Sequence, residues 1–341
     1  MSRSFRVAVV GATGLVGETM IKVLEERKFP VSELFALASS RSLGKSVEYH
    51  GRSLPVDDLA GFDFARADIG LFSAGSEVSA EYAPKAAAAG CVVIDNTAQF
   101  RYQDDIPLVV PEVNRHAIAQ YRARSIIANP NCSTIQMLLA LKPIHAAVGI
   151  ERINVATYQS VSGAGKEAVE ELATQTAALL NGRPIDRPRH IPKQIAFNCV
   201  PQIDQFQDNG YTKEEMKLFW ETRKILEDPA IRVNATAVRV PVFHGHSEAI
   251  HIETRRKISA VEARALLRRA PGVTVLDERI PGGYPTAVTE AANHDTVYVG
   301  RIREDMSHER GLDLWVVSDN IRKGAATNSV QIAEILVSEY L

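Results

Sequence analysis

The chain begins as an alternation of apolar runs and helix-periodic segments. Phe5-Arg6-Val7-Ala8-Val9-Val10 is a short run of the kind that forms a strand covered on both faces. A glycine-rich turn, Gly11 to Gly17, follows it and opens a segment from Glu18 to Lys28. The apolar positions Met20, Ile21, Val23 and Leu24 fit one helix face there, and Pro30 ends the segment. Leu34 to Ala38, Ile69 to Ser73 and Cys91 to Asp95 predict further strands, with an alanine-rich helix over Ser79 to Ala89 between the last two. Strands alternating with helices at these lengths predict βαβ units and a mostly parallel sheet.

Beyond Gly149 the pattern changes to longer strand-like stretches: Ile153 to Val161, Ala235 to Val242, Ala249 to Arg256, Thr296 to Ile302 and Leu312 to Ser318. Gly165 to Leu180, Thr212 to Glu227 and Ala260 to Arg269 are helix-periodic. Asn181 to Ile203, with Pro184, Pro188, Pro192 and Pro201, reads as an irregular surface excursion. The expected architecture is α/β: a Rossmann-type parallel sheet domain (1–131 with 321–341) and an α+β second domain with a mixed sheet (132–320).

Composition narrows the function classes. The 341 residues carry a formal charge of -2, which argues against a nucleic-acid or membrane-surface binder. No apolar stretch is long enough to span a bilayer, and Met1 to Ser4 runs straight into the first strand without room for a signal peptide, so a cytoplasmic location is expected. Three cysteines make neither a disulfide framework nor zinc spacing.

Two motifs carry chemistry. Gly11-Ala12-Thr13-Gly14-Leu15-Val16-Gly17 lies between a strand and a helix, where glycines let backbone N–H groups approach a pyrophosphate. The second strand ends without the acidic residue that would bind a ribose hydroxyl. Ser39, Ser40 and Arg41 stand there instead, a set that favours NADP over NAD. Ser162-Gly163-Ala164-Gly165-Lys166 resembles a phosphate loop but is not a Walker A sequence, because Ser160 stands at its first glycine.

The second motif is Asn129-Pro130-Asn131-Cys132-Ser133-Thr134, ahead of an apolar helix from Ile135 to Ala147. Asn131 suits an N-cap, and Cys132 then lies in the first turn, where unpaired N–H groups and the helix dipole favour a thiolate. Cys91 and Cys199 read as small buried hydrophobes. A thiol nucleophile beside a nicotinamide suggests aldehyde oxidation through a thioester. The partner base would come from the histidines. His246, in the loop between two strands and near Arg239, is favoured, with His244 as competitor.

The ordered set of motifs resembles the bacterial aspartate-β-semialdehyde dehydrogenases. It comprises the GATGxVG turn, Ser39–Gly44, Phe72-Ser73-Ala74-Gly75, Asp95 to Arg101, Asn129 to Thr134, Thr157 to Gly165, Glu214 to Lys217, Arg239 to Glu248 and Asp319 to Asn328. The resemblance implies reversible, NADP(H)-dependent interconversion of β-aspartyl phosphate with aspartate semialdehyde and inorganic phosphate. That reaction serves lysine, threonine, methionine and diaminopimelate biosynthesis. It further implies Cys132 as nucleophile, Gln159 as the residue orienting the acyl group and His246 as acid/base. Glu214 and Arg239 would hold the substrate's amino and carboxylate groups, and Arg101, Asn131 and Lys217 its phosphate. Cofactor contacts would come from Gly11, Thr13, Gly14, Leu15, Val16, Gly17, Ser39, Ser40, Arg41, Ser73, Gly75, Ser162, Gly163 and Asn320. A homodimer or higher oligomer is implied, with no metal.

The assignments have physical sense: a guanidinium matches a carboxylate, and Glu214 and Lys217, three apart, share a helix face. Thr212 and Glu215 form a capping box on the same helix. The nearest enzymatic alternative, an N-acetyl-glutamyl-phosphate reductase, normally carries P-G-C-Y/F where this chain has Pro130-Asn131-Cys132-Ser133. A non-catalytic nucleotide-binding paralogue would be expected to lack one or more of Cys132, Gln159, Arg239 and His246.

Overall fold

A computed structural model describes residues 3–341, which form two compact units. The first unit runs to Asn131 and also takes in Gly324–Leu341; the second is Cys132–Lys323.

The first unit is built on β1 (Phe5–Val10), α1 (Leu15–Glu26), β2 (Val31–Ala38), β3 (Ser46–Tyr49), β4 (Arg52–Asp58), β5 (Ile69–Phe72), α2 (Ser76–Ala88), β6 (Val92–Asp95), the short α3 (Pro111–Asn114) and β7 (Ile126–Ala128). The strands line up in the order β3-β4-β2-β1-β5-β6-β7. All neighbours are parallel except β3 and β4. Val7, Val9, Ile69, Leu71 and Ile94 are fully buried, as strands covered on both faces require. The closing helix Thr327–Glu339 packs on α1, with Val330, Ile332, Ala333 and Leu336 in the same core as Met20 and Leu24. Chain order reverses at β1, which lies between β2 and β5, so the sheet's switch point falls at the loop after β1.

The second unit contains α4 (Cys132–Val148), β8 (Ile150–Gln159), α5 (Lys166–Leu180), α6 (Lys213–Leu226), β9 (Arg232–Arg239), β10 (His246–Thr254), α7 (Ala260–Leu267), β11 (Val273–Val275), β12 (Val297–Glu304) and β13 (Gly311–Ser318). Its sheet runs β11-β12-β13-β10-β8-β9 and is mixed: β8 pairs parallel with β9 and antiparallel with β10. Helix α4 is apolar nearly all round and buried along most of its length, so it works as a core element under this sheet, packed against β10, β13 and α6. Helix α6 begins with the expected capping box. Thr212 Oγ1 accepts from Glu215 N–H, and Glu215 accepts from Thr212 N–H at 2.7 Å.

The polar β3–β4 hairpin has no counterpart among the expected elements: its outward positions are exposed and only Val47 and Val56 enter the core. Two expectations need correction. His246 is the first residue of β10 instead of a loop residue, because Gly245, at φ 86°, turns the chain directly into the strand. An added Cβ there would come within 2.7 Å of the Ala287 carbonyl oxygen, so glycine is required. Cys91 is buried, but Cys199 is exposed.

Candidate active site

In the first unit, the carboxyl ends of β1, β2 and β5 present the glycine loop, Ser39–Ser42 and Ser73–Gly75 respectively. Gly11 has φ 87°, and a Cβ on it would lie 2.7 Å from the Ser73 carbonyl oxygen. A Cβ on Gly17 would lie 2.1 Å from the Gly11 carbonyl oxygen. Both positions therefore exclude any side chain, and the backbone folds tightly enough for α1 to start at Leu15 directly over the end of β1. The first-turn amides of Leu15, Val16 and Gly17 have no intrahelical acceptor, as at any helix N-terminus, which is the donor set a pyrophosphate needs. Thr13 Oγ1 and Ser42 Oγ, 3.2 Å apart, link this loop to the Ser40–Ser42 turn, and Ser39, Ser40 and Arg41 are exposed beside it. These residues fit a dinucleotide.

Below that edge lies a polar lattice. Arg101, buried, donates to the Asn96 carbonyl oxygen at 2.8 Å. Asn129 donates to Asn96 at 2.7 Å and accepts from Asn328 at 2.7 Å. Asn131, also buried, ends this unit.

The second unit gathers its candidates on one edge of its sheet. Gln159 is the last residue of β8, Arg239 the last of β9 and His246 the first of β10. Gln159 and Arg239 are register partners in the parallel pair, so they share a sheet face. Cys132, half-buried, is the first residue of α4. The Cys132 and Glu214 charges favour the Arg239 guanidinium, offsetting burial, which draws it below its ordinary range. Arg239 donates to the Ser160 carbonyl oxygen at 2.7 Å. A Cβ on Gly163 would meet Arg239 Nη1 at 3.0 Å and His246 Nε2 at 3.3 Å, so a side chain there would crowd both groups.

His246 is completely buried, and burial with the nearby Arg239 charge pushes its pKa down to about 3. The Ser160 backbone N–H donates to its Nδ1 at 3.1 Å, and Ser160 Oγ lies 3.1 Å from the same nitrogen. Since the backbone N–H can only donate, the neutral imidazole carries its proton on Nε2, which is buried and has no hydrogen-bond partner among the described residues. Ser160 was not among the expected site residues, because a serine in a phosphate-loop-like run gives no sign that its neighbour is a histidine 86 positions away.

Gln159 Nε2 donates to Glu214 at 3.1 Å, and Lys217 Nζ reaches Glu214 at 2.8 Å and Asp204 at 3.0 Å. Lys217 therefore sits between two carboxylates, of which Asp204 was not anticipated. Ser162, Gly163 and Asn320, expected near the cofactor, lie with this histidine group. Asn320 donates to Ser162 Oγ at 3.1 Å and accepts from Gly245 N–H at 3.0 Å. His244, the competing histidine, is exposed.

The parallel sheet of the first unit, with its glycine-lined switch point, defines the class as nucleotide-binding, and the second unit adds a thiol at a helix start near an imidazole and an arginine at strand ends. Comparison with known proteins makes this specific. Residues 6–121 match the family model described as semialdehyde dehydrogenase, NAD binding domain, and residues 141–323 match semialdehyde dehydrogenase, dimerisation domain. An aspartate-semialdehyde dehydrogenase of Legionella pneumophila is 64% identical over 341 residues, covering 100% of this chain and 98% of that protein. The crystal structure of aspartate semialdehyde dehydrogenase II complexed with ASA, from Vibrio cholerae, superposes with a TM-score of 0.98 at 60% identity, covering 100% of both chains. A Candida albicans aspartate semialdehyde dehydrogenase with NADP gives 0.75 at 26% identity, covering 98% of each chain. The chain belongs to the aspartate-semialdehyde dehydrogenases.

Proposed function

We propose that the protein catalyses the NADPH-dependent reductive dephosphorylation of β-aspartyl phosphate to aspartate β-semialdehyde, reversibly, through a thioester on Cys132. The observation that carries this reading is the strand edge of the second unit, where Gln159, Arg239 and His246 end or begin adjacent strands on one face and Cys132 feels the Arg239 charge.

The steps follow from the residues. Cys132, at the N-terminus of α4, is stabilised as thiolate by the helix end and by Arg239. It attacks the acyl carbon of β-aspartyl phosphate, the C–S bond forms and the C–O bond to phosphate breaks. Gln159 orients the acyl oxygen. When bound, the nicotinamide supplies the hydride in this direction and takes it in the reverse. His246 would act as the donor, through Nε2–H, to the oxyanion that develops at the same carbon. Collapse of that oxyanion releases the aldehyde and restores the thiolate. Arg239 pairs bidentately with the substrate's carboxylate and Glu214 with its ammonium. Arg101, Asn131 and Lys217 hold the phosphate.

The Gly11–Gly17 turn holds the cofactor's pyrophosphate, assisted by Ser73 and Gly75, and Ser39, Ser40 and Arg41 take a 2′-phosphate, making NADP(H) the cofactor. We read the protein as a cytoplasmic homodimer of amino-acid biosynthesis. Among the described residues no helix is long and apolar enough to cross a membrane. Support for the dimer comes from the sheet face opposite α4, where Tyr158 and Trp315 pack at 5.6 Å beside a cavity of about 630 Å3.

The test is phosphate-dependent NADP⁺ reduction with three aldehydes. Turnover with aspartate semialdehyde well above that with N-acetyl-glutamate semialdehyde or glyceraldehyde-3-phosphate is expected. Preference for either of the others refutes the assignment.

A further inference from the structure

The sheet face that carries His246 continues inward with a second acidic residue that the proposed chemistry does not use. Glu248 lies two positions beyond His246 on β10, so both side chains point to the same face of the sheet. Gln136 lies four positions beyond Cys132 on α4, one turn deeper on the same helix face. Helix α4 packs on β10. Gln136 therefore lies one turn of α4 beyond Cys132, and Glu248 two residues of β10 beyond His246, on elements that pack together.

Both deeper residues are buried, Gln136 at 1% and Glu248 at 0% exposure. Among the described residues, neither carboxyl oxygen of Glu248 and neither polar atom of Gln136 has a hydrogen-bond partner of normal geometry, although the Gln136 amide faces the carboxyl closely enough to act on its charge. The cross-strand neighbours of Glu248 are Thr157 on β8 and Val316 on β13. Thr157 Oγ1 accepts from Gln159 Nε2 at 3.3 Å, so the layer below the site also touches the residue assigned to the acyl group. Ser318, opposite His246 on β13, is a third buried polar side chain with an unpaired oxygen here. A core helix and strand could be joined by apolar side chains alone, which makes a carboxyl group at this depth a specific choice.

We propose that Glu248 is a positioning residue: with Gln136 it ties α4 to β10 one turn below the site and so sets the spacing between the Cys132 thiol and the His246 imidazole. Burial pushes the Glu248 carboxyl well above the usual carboxylate range, and the facing Gln136 amide offsets part of that rise. Pairs of this kind are often long in the resting enzyme and shorten in the complex. The inference rests on the assignment of Cys132 and His246 as nucleophile and acid/base.

The experiment compares Glu248→Leu, Glu248→Gln and Gln136→Leu with the parent protein. Two readouts are taken: steady-state kcat and KM for aspartate semialdehyde, and the rate of Cys132 alkylation by iodoacetamide at one pH. Glu248→Leu and Gln136→Leu should each lower kcat about tenfold or more with KM little changed, since a small misplacement of reacting groups has effects of that size. The double variant Gln136→Leu/Glu248→Leu should be no worse than either single one. Glu248→Gln keeps a neutral hydrogen-bonding group of the same shape and should restore most of kcat. Cys132 alkylation should slow in both leucine variants and recover in Glu248→Gln. Equal losses in Glu248→Gln and Glu248→Leu, additive losses in the double variant, or unchanged alkylation overturn the tie. If Glu248→Leu fails to fold, Gln136→Leu and Glu248→Gln decide the matter. If the parent protein does not turn over this aldehyde, the substrate reading has failed, and the alkylation rates still decide the tie.

Discussion

Replacing His246 by asparagine should flatten the acid side of the protein's stability profile. Burial and the Arg239 charge bring the His246 pKa to about 3 in the folded protein, against about 6.5 for a histidine in an unfolded chain. Between these values the unfolded state binds the proton and the folded state does not. Stability therefore rises with pH across the window and falls as pH drops below about 6.5. Linkage puts the penalty at about 1 kcal/mol at pH 6 and about 2 kcal/mol at pH 5, with a ceiling of about 5 kcal/mol near pH 3. Asparagine has no proton to gain over this range, and groups common to both proteins cancel in the comparison. Urea unfolding of both proteins at pH 7.5, 6 and 5 measures the difference, read on the transition of the unit that carries β10. The parent protein should lose about 2 kcal/mol more than His246→Asn between pH 7.5 and 5. Parallel profiles would mean that His246 titrates normally, which would contradict the burial-driven depression of its pKa.

Two further outcomes follow from the site. NADPH should surpass NADH in kcat/KM, and Arg41→Ala should narrow that gap by about tenfold, the scale of one charge-assisted hydrogen bond; equal efficiency with both nucleotides in the parent protein refutes the 2′-phosphate assignment. Arg239→Leu should lower kcat/KM for the aldehyde by about a hundredfold or more, because it deprives the substrate carboxylate of its partner. Arg239→Lys, which keeps the charge without the planar fork, should recover only part of it; unchanged kinetics in either variant contradicts that role.

The features legible in the chain were those written in local spacing. The glycine turn could be recognised because a strand, three glycines and a helix follow one another within 22 residues, Phe5–Glu26. The position of Cys132 at the start of a helix, the capping box at Thr212 and the shared face of Glu214 and Lys217 are likewise consequences of helical periodicity. What remained hidden depends on pairing between distant segments. Asp204, in irregular chain before α6, meets Lys217 within the helix, 13 positions on, and Ser160 meets His246 where the distant strands β8 and β10 pair, so neither contact has a periodic signature. The β3–β4 hairpin escaped notice because its polar edge strands bury only single residues, leaving little hydrophobic alternation. Phe243-His244-Gly245 looks like a turn, and only the register with Ser318 shows that the strand begins at His246 itself. The residue type of Cys199 suggests burial, but the proline-rich excursion that carries it leaves it exposed.

The covalent step is tested most directly by trapping. The protein is mixed with β-aspartyl phosphate in the absence of nucleotide, quenched in acid, digested and mapped by mass spectrometry, with Cys132→Ser in parallel. An aspartyl adduct, labile to hydroxylamine, is expected on the peptide containing Cys132 and absent from those containing Cys91 and Cys199. The serine variant should fold, form no such adduct and lose nearly all turnover. An adduct on another residue, or full turnover by Cys132→Ser, would contradict the thioester account.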